Sequence, residues 1–386
     1  MKTLCVATST RADWGILRPL AAALRDSGRV KLQVLATNMH LLDAYGHTVD
    51  EIMADGFAVD ARVAMPDASG DTPLGRAKAM GVCLEGTAEV LGRLKPDALI
   101  ILGDRYEMLA VASAAAVMGI PIVHLHGGEI SEGAIDDSIR HAITKLSTIH
   151  LTATEPYRKR VIQMGEHPDR VINTGSLGVC RLVNRARMSR EELCADLGIE
   201  ASVPFAVVTF HPATLDNVAP SERCRAMIDA FSSFPELNII ATYPNNDAGS
   251  EGIIEVLKEW HAAEPGRVTL VKSLGMRRYL SAIAEAKLVA GNSSSAIIEV
   301  PAAGTPAVNI GIRQKGRLHS PLVIDCGDTA EEIAEAIRKA LDPSFVAEAV
   351  KAPNPYYKAD TLQIATDAVL RFAESLPVAP KTFYDI

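Results

Sequence analysis

The chain has 386 residues, 48% of them hydrophobic and 22% charged, with a formal net charge of −8. That length exceeds what one core usually organises, so two domains are expected, each with enough apolar residues to bury an interior. The acidic balance argues against nucleic acid or an anionic membrane as the main partner, and a local basic pocket for a small anionic substrate remains compatible with it. Six cysteines (Cys5, Cys83, Cys180, Cys194, Cys224, Cys326) are scattered without a C-x-x-C pair, the pattern of reduced thiols rather than of disulfides or metal ligands. The first residues run straight into a strand without a signal peptide, and no apolar run of about eighteen residues occurs, so a soluble, cytoplasmic protein is expected.

Short apolar runs read as buried strands at Leu4–Thr8, Leu32–Thr37, Ala98–Leu102, Ile122–His126 and Ile149–Ala153, separated by helical patterns such as Ile16–Arg25. After a break around Thr174–Val203 the rhythm restarts. Strands are expected at Ala206–Phe210, Asn238–Tyr243, Val268–Val271, Leu288–Gly291, Ala307–Ile310 and Leu322–Ile324, with helices at Ser221–Phe231 and Glu331–Leu341. Alternating strand and helix implies parallel sheets covered on both faces. The expected division is an N-terminal domain of residues 1–174 and a C-terminal domain of residues 175–359. A last helix, 360–376, packs back on the first domain. Ligands of such sheets bind beyond the carboxyl ends of the strands, so the two domains are expected to face each other across a cleft.

Polar motifs fall at those strand ends. Thr8–Asp13 leads into the first helix, where helix-start N–H groups and Arg11 suit a phosphate and where Asp13 equally suits an N-cap. No G-x-G-x-x-G is present. Gly103-Asp-Arg-Tyr-Glu107 puts Asp104 at the tip of a central strand, a position that favours function over simple stabilisation by the helix dipole. The densest cluster lies in His124–Ser147, with Glu129, Asp136, Asp137, Arg140 and His141 inside thirteen residues. A packing core has no use for such charge, whereas acid–base chemistry on an anionic substrate does. His124 and His126, two apart on a strand, share a side. A metal site built from them with Glu129, Asp136 and His141 is disfavoured by Arg140 and Lys145, so no metal is expected. Asp136 and Arg140 share a helix face, and His141 and Lys145 read as structural supports.

In the second half, His211-Pro follows a strand and suits catalysis, phosphate binding or a structural role, and Asn245–Asp247 forms another polar turn. Gly291-Asn-Ser-Ser-Ser-Ala-Ile-Ile-Glu299 offers Ser293 and Ser294 to a diphosphate and Glu299 to ribose hydroxyls, or else is a serine-rich cap. No G-x-S-x-G elbow supports a serine hydrolase. Gly311–Arg317 brings Arg313, Lys315 and Arg317 into one loop, either a nucleotide lid or a solvated basic turn.

In this order the motifs resemble the hydrolysing UDP-N-acetylglucosamine 2-epimerases of sialic-acid synthesis. The resemblance rests on Arg11-Ala-Asp13, Gly103-Asp-Arg105, His126-Gly-Gly-Glu129, the block Ile135–Lys145, His211-Pro, Pro244-Asn245, Gly291-Asn-Ser-Ser294 and Gly311–Arg317, and it spans essentially the whole chain. It implies an α/β fold of two Rossmann-like domains of the glycosyltransferase-B type. It also implies a nucleotide-sugar substrate, no cofactor, and a homodimer or homotetramer that closes on its ligand. The implied reaction inverts C2 with loss of UDP, through a 2-acetamidoglucal to which water adds. By the same resemblance Asp104, Glu129 and Asp136 form the acid–base set, and Arg140 and His211 stabilise the departing diphosphate. Arg11, Asp13, Asn245, Ser293, Ser294, Glu299 and Arg313 bind the substrate, with Glu299 on the ribose. The expected sugar is N-acetylglucosamine. The alternative is the 2,4-diacetamido-2,4,6-trideoxy analogue used on the way to legionaminic acid. A glycosyltransferase of the same fold and a non-catalytic sugar-nucleotide binder are weaker fits, because neither accounts for Asp104, Glu129 and Asp136 together. A non-hydrolysing epimerase is a closer rival, which release of free N-acetylmannosamine would exclude.

Overall fold

A computed structural model describes residues 1–66, 72–184 and 187–386. The chain divides into two compact units. Unit 1 comprises Met1–Glu129, Asp136–Arg181 and Tyr356–Ile386, and unit 2 comprises Ile130–Ile135 and Leu182–Pro355.

Unit 1 runs β1 (Lys2–Thr8), α1 (Arg11–Asp26), β2 (Val30–Thr37), α2 (Val49–Ala54), β3 (Ala61–Val63), α3 (Pro73–Leu94), β4 (Ala98–Leu102), α4 (Tyr106–Val117), β5 (Ile122–Leu125), α5 (Asp136–Leu146), β6 (Ile149–Thr152), α6 (Glu155–Gln163) and β7 (Val171–Asn173), and α7 (Leu177–Asn184) begins in it. Its seven strands are parallel, in the order β3-β2-β1-β4-β5-β6-β7. Successive residues of a strand point to opposite faces, and both faces here are apolar. Leu4 and Val6 of β1 join Ala98, Ile100 and Leu102 of β4 in one core, while Cys5, Ala7, Leu99 and Ile101 join the other. This explains the unbroken apolar runs in the sequence, since parallel sheets are covered on both sides.

Unit 2 continues with α8 (Arg190–Leu197), β8 (Phe205–Thr209), α9 (Pro220–Phe231), β9 (Asn238–Thr242), α10 (Ser250–Ala263), β10 (Val268–Val271), α11 (Gly275–Glu285), β11 (Leu288–Gly291), α12 (Ser294–Ile298), β12 (Ala307–Ile310), β13 (Val323–Cys326), α13 (Ala330–Leu341) and α14 (Pro343–Ala349). The sheet is again parallel, ordered β10-β9-β8-β11-β12-β13. The chain then returns to unit 1 as α15 (Thr361–Glu374), whose Ala365, Val369 and Phe372 enter the core that also holds Leu17, Leu20 and Leu24 of α1. Both units are Rossmann-like, the α/β class expected.

Three details differ from the sequence reading. Strands β3 and β7 were not anticipated, because three residues each are too few to establish a period. Residues 175–181 cluster with unit 1, seven residues beyond the expected cut, since α7 starts there. The segment Ile130–Ile135 clusters with unit 2 although its flanks belong to unit 1. Glu132 N–H donates to the Lys315 carbonyl at 3.1 Å and the Arg317 guanidinium to that of Ile130 at 3.2 Å, while Leu215 N–H donates to Gly133 at 3.2 Å. Among the described residues, no helix is long and apolar enough to cross a membrane.

Beside β6 and β7 sits a buried ionic cluster. The Glu166 carboxylate accepts from His150 Nε2 at 2.9 Å, Lys145 Nζ at 2.6 Å and Lys381 Nζ at 2.8 Å. Burial alone would raise its pKa, but the three donors bring it down to about 2. A carboxyl lowered from an ordinary 4.5 stabilises the fold fully above pH 4.5, and that contribution is lost as pH falls towards 2. For a shift of this size it is about 3 kcal/mol. His150, held below its usual pKa by burial, adds a loss of the same sign that begins nearer neutrality. The stability of Glu166→Gln is therefore expected to depend less steeply on pH between 4.5 and 2 than that of wild type. Parallel denaturant-unfolding curves for the two across that window would disprove it.

Candidate active site

In each sheet the strand order reverses beside the first strand of the unit, between β1 and β4 in unit 1 and between β8 and β11 in unit 2. Ligands of open parallel sheets bind beyond the carboxyl ends of the strands at such a switch point. Ser9–Asp13 and Asp104 follow β1 and β4, His211 and Asn292–Ser294 follow β8 and β11, and the remaining motifs follow the neighbouring strands β5, β9 and β12.

In unit 1, β1 delivers Ser9–Asp13. The N-cap of α1 is Thr10, not Asp13. Thr10 Oγ1 accepts from Asp13 N–H at 3.2 Å, and Asp13 accepts in return from Thr10 N–H at 3.1 Å and from Ser9 Oγ at 2.8 Å, a reciprocal capping box. Burial pushes the Asp13 carboxyl up to about 6, against the lowering effect of nearby Arg105. Arg11 is the first residue of the helix.

The centre of unit 1's polar cluster is Arg140, whose side chain is 1% exposed. Its Nη2 is paired with Asp104 Oδ2 at the end of β4, and its Nη1 donates to the Glu129 carbonyl at 3.0 Å and to Asp137 Oδ1 at 3.1 Å. Asp137, three residues back on the helix, is thus one of its partners. The guanidinium expected at a diphosphate binds two carboxylates and a carbonyl. Its single charge offsets part of that of Asp104 and Asp137, and its forked donors tie the end of β4, the turn after β5 and the start of α5 into one assembly. Asp136 opens α5 in a half-buried position.

The two histidines of the β5 motif diverge. The strand ends at Leu125, and His126 takes a left-handed conformation with φ of 64°, rare for a residue with a Cβ. It turns its Nδ1 to within 2.9 Å of Glu129 Oε1, and both side chains are buried. His124 instead stays in the sheet, with Nε2 2.8 Å from the Gly103 carbonyl and Nδ1 3.2 Å from Thr144 Oγ1. Burial pushes its pKa down to about 3, so the ring is neutral and its Nε2–H donates to Gly103, the residue before Asp104. The expected shared side is lost because the backbone leaves the strand between them.

In unit 2, His211 lies two residues beyond the end of β8. Its N–H donates to Asn292 Oδ1 at 2.7 Å and its carbonyl accepts from Asn292 Nδ2 at 2.8 Å, which links the ends of β8 and β11. The Asn245 N–H donates to His211 Nδ1 at 3.1 Å, which leaves the neutral ring's proton on Nε2 as a donor. Arg313 Nη1 and Gln314 Nε2 both donate to the Asn292 carbonyl, at 3.1 and 3.0 Å. Ser293 caps α12, where Ser294 is the first residue, and Ser295 Oγ donates to Glu299 while contacting the Tyr279 hydroxyl. His211, Asn245 and Arg313 thus gather around the β8–β11 junction, and Ser293, Ser294 and Glu299 follow directly from β11.

Sequence reasoning passed over His126 as the partner of Glu129 and Asn292 as the link to His211. A glycine after His126 hinted at a turn. Asn292 lay inside a motif whose serines drew the attention.

The chain matches the family model described as UDP-N-acetylglucosamine 2-epimerase over residues 22–370, and it belongs to that family. Among curated relatives, it is 36% identical to the "GDP/UDP-N,N'-diacetylbacillosamine 2-epimerase (hydrolyzing)" of Campylobacter jejuni over 84% of each chain. It is 35% identical to "Polysialic acid biosynthesis protein P7" of Escherichia coli over 100% of this chain and 98% of the relative. It is 35% identical to the "UDP-N,N'-diacetylbacillosamine 2-epimerase (hydrolyzing)" of Legionella pneumophila over 89% of each. The crystal structure of UDP-GlcNAc 2-epimerase from Neisseria meningitidis bound to UDP-GlcNAc shares the fold with a TM-score of 0.80, at 16% identity over 96% of this chain and 100% of that one.

Proposed function

We propose that this protein is a hydrolysing 2-epimerase of UDP-N,N'-diacetylbacillosamine, UDP-2,4-diacetamido-2,4,6-trideoxyglucose. It releases UDP and 2,4-diacetamido-2,4,6-trideoxymannose. The observation that supports the reaction type is a buried arginine, Arg140, that binds Asp104, Asp137 and the Glu129 carbonyl and so gathers acids from three separate elements of unit 1. The names of the Campylobacter and Legionella relatives support this sugar over N-acetylglucosamine, the sugar expected from the motifs.

A base from the set Asp104, Glu129 and Asp136 removes the C2 proton as the C1–O bond to UDP breaks, which leaves the 2,4-diacetamido glycal with a C1=C2 double bond. Water then adds its oxygen at C1, and a proton returns to the opposite face of C2. The C2 hydrogen is weakly acidic, so proton removal depends on a positioned base and on charge leaving with the diphosphate. Removal and return on opposite faces require more than one acid–base group. In unit 2, the Nε2–H of His211 meets the diphosphate, Ser293, Ser294 and Arg313 bind it further, and Glu299, oriented by Ser295, takes the ribose hydroxyls. Arg11 and Asn245 complete the contacts to the nucleotide sugar, and Asp13 keeps the Arg11 turn in place through the capping box.

The test is proton NMR of the purified protein in D₂O with each nucleotide sugar and no added metal. Release of UDP together with a C2-deuterated manno product is expected from the diacetamido sugar, with kcat/KM at least about tenfold above that for UDP-N-acetylglucosamine. Deuterium at C2 without free sugar would reject hydrolysis. The second reading, UDP-N-acetylglucosamine itself, is favoured by the Escherichia coli relative, which is matched over its whole length and named for polysialic acid biosynthesis. A reversed preference in the same assay would select it.

A further inference from the structure

After α15 the chain runs back across the far end of α5. Tyr384 N–H donates to the Gly165 carbonyl at 2.9 Å, and its ring meets His167 edge-on with centroids 5.0 Å apart. Phe383 stands 5.0 Å from Lys145 Nζ and fills the space beside Gly165. Between this anchor and α15, Lys381 sends its Nζ to the carbonyls of Lys145 at 2.7 Å, Ser147 at 2.8 Å and Thr144 at 3.5 Å, and to Glu166 at 2.8 Å.

The last carbonyls of a helix have no partner within it, and a cation there is favoured by the helix dipole. The helix's own terminal cation, Lys145, does not serve this end, because its ammonium is directed to the Met164 carbonyl and Glu166. Ser147 serves the carbonyls of Thr144 and Ile143 locally, and the Lys145 and Ser147 carbonyls receive the ammonium of a side chain 236 positions beyond Lys145. The opposite end of α5 carries Asp136, Asp137 and Arg140. An eleven-residue helix is a rod about 16 Å long, so a shift at one end reaches the other.

We propose that Lys381 is a positioning residue for the acid–base centre: it seats α5 along its axis and so sets Asp136 and Arg140 against Asp104. This rests on the epimerase reading for its kinetic consequence. A displacement of about 1 Å at reacting groups costs about a hundredfold in rate, which sets the scale of the effect.

The test compares wild type, Lys381→Met and Lys381→Arg by kcat and KM for UDP release, and by amide hydrogen exchange. For Lys381→Met, kcat is expected to fall about 10- to 100-fold with KM within about threefold of wild type. Exchange should rise along α5 and not across the rest of unit 1, and Lys381→Arg, which keeps a cation at the carbonyls, should recover most of kcat. A Met variant with kcat within about twofold of wild type overturns the proposal. So does a loss accompanied by uniformly faster exchange, which marks general destabilisation. If wild type releases UDP from neither sugar, the epimerase reading fails by itself, and unchanged exchange over residues 136–141 in Lys381→Met is then the result that refutes the role of Lys381.

Discussion

Glu129→Gln is expected to lower kcat by about three orders of magnitude while leaving UDP affinity within about threefold of wild type. The substitution keeps the shape of a side chain that is 2% exposed and changes only its charge and basicity. The position of the residue is held through its backbone, by Arg140 Nη1 on its carbonyl at 3.0 Å, and glutamine leaves that bond in place. Most of the groups assigned to UDP, from His211 to Arg313, are held in place by bonds around the β8–β11 junction, and the substitution alters none of these. Binding and turnover should therefore separate. Titration with UDP by calorimetry and single-turnover assays of UDP release give the two quantities. A matched loss of both, or a kcat within about tenfold of wild type, would remove Glu129 from the acid–base set.

The repeated strand–helix rhythm made the two parallel sheets legible, because strands buried on both faces produce apolar runs that cannot be mistaken for loops. The edge strands β3 and β7 were not legible, since a three-residue strand at a sheet edge leaves no periodic trace. At the candidate site, several relationships among the residues named from the sequence were not legible. Asp104 and Arg140 are 36 positions apart and meet only because β4 and the start of α5 lie at one end of the same sheet. The i,i+4 rule pointed Arg140 at Asp136 and gave no sign that the guanidinium reaches Asp137 and Asp104. His126 was read as part of a strand, and its left-handed backbone, which brings it to Glu129, has no signature beyond the glycines that follow. The return of Lys381 to α5 depends on where a chain of 386 residues comes back to its first unit, which local periodicity does not encode.

Gly291→Ala is expected to destabilise the protein by more than about 4 kcal/mol, the range reached when a change forces strain on a buried backbone. Gly291 ends β11, paired with Thr209 of β8, and its φ is 136°. A Cβ there would lie 1.9 Å from the Thr209 carbonyl oxygen and 2.8 Å from its carbon, a clash with backbone that no rotamer relieves. The adjoining Asn292 N–H donates to that same carbonyl at 3.3 Å, and its side chain pairs with His211 one step on. To admit a methyl group, β8 and β11 must move apart at the junction around which the residues assigned to the nucleotide gather. Loss of stability and loss of UDP binding should therefore come together. Gly275→Ala provides the contrast. That glycine also has positive φ, 63°, but no atom lies within 4 Å of its would-be Cβ, so only the cost of a left-handed alanine applies, about 1–2 kcal/mol. Denaturant unfolding of both variants, with UDP titration of whatever remains folded, separates the two cases. Equal stabilities would mean that the approach of β11 to the Thr209 carbonyl does not constrain this position, and the pairing of His211 with Asn292 would lose its claim to depend on glycine.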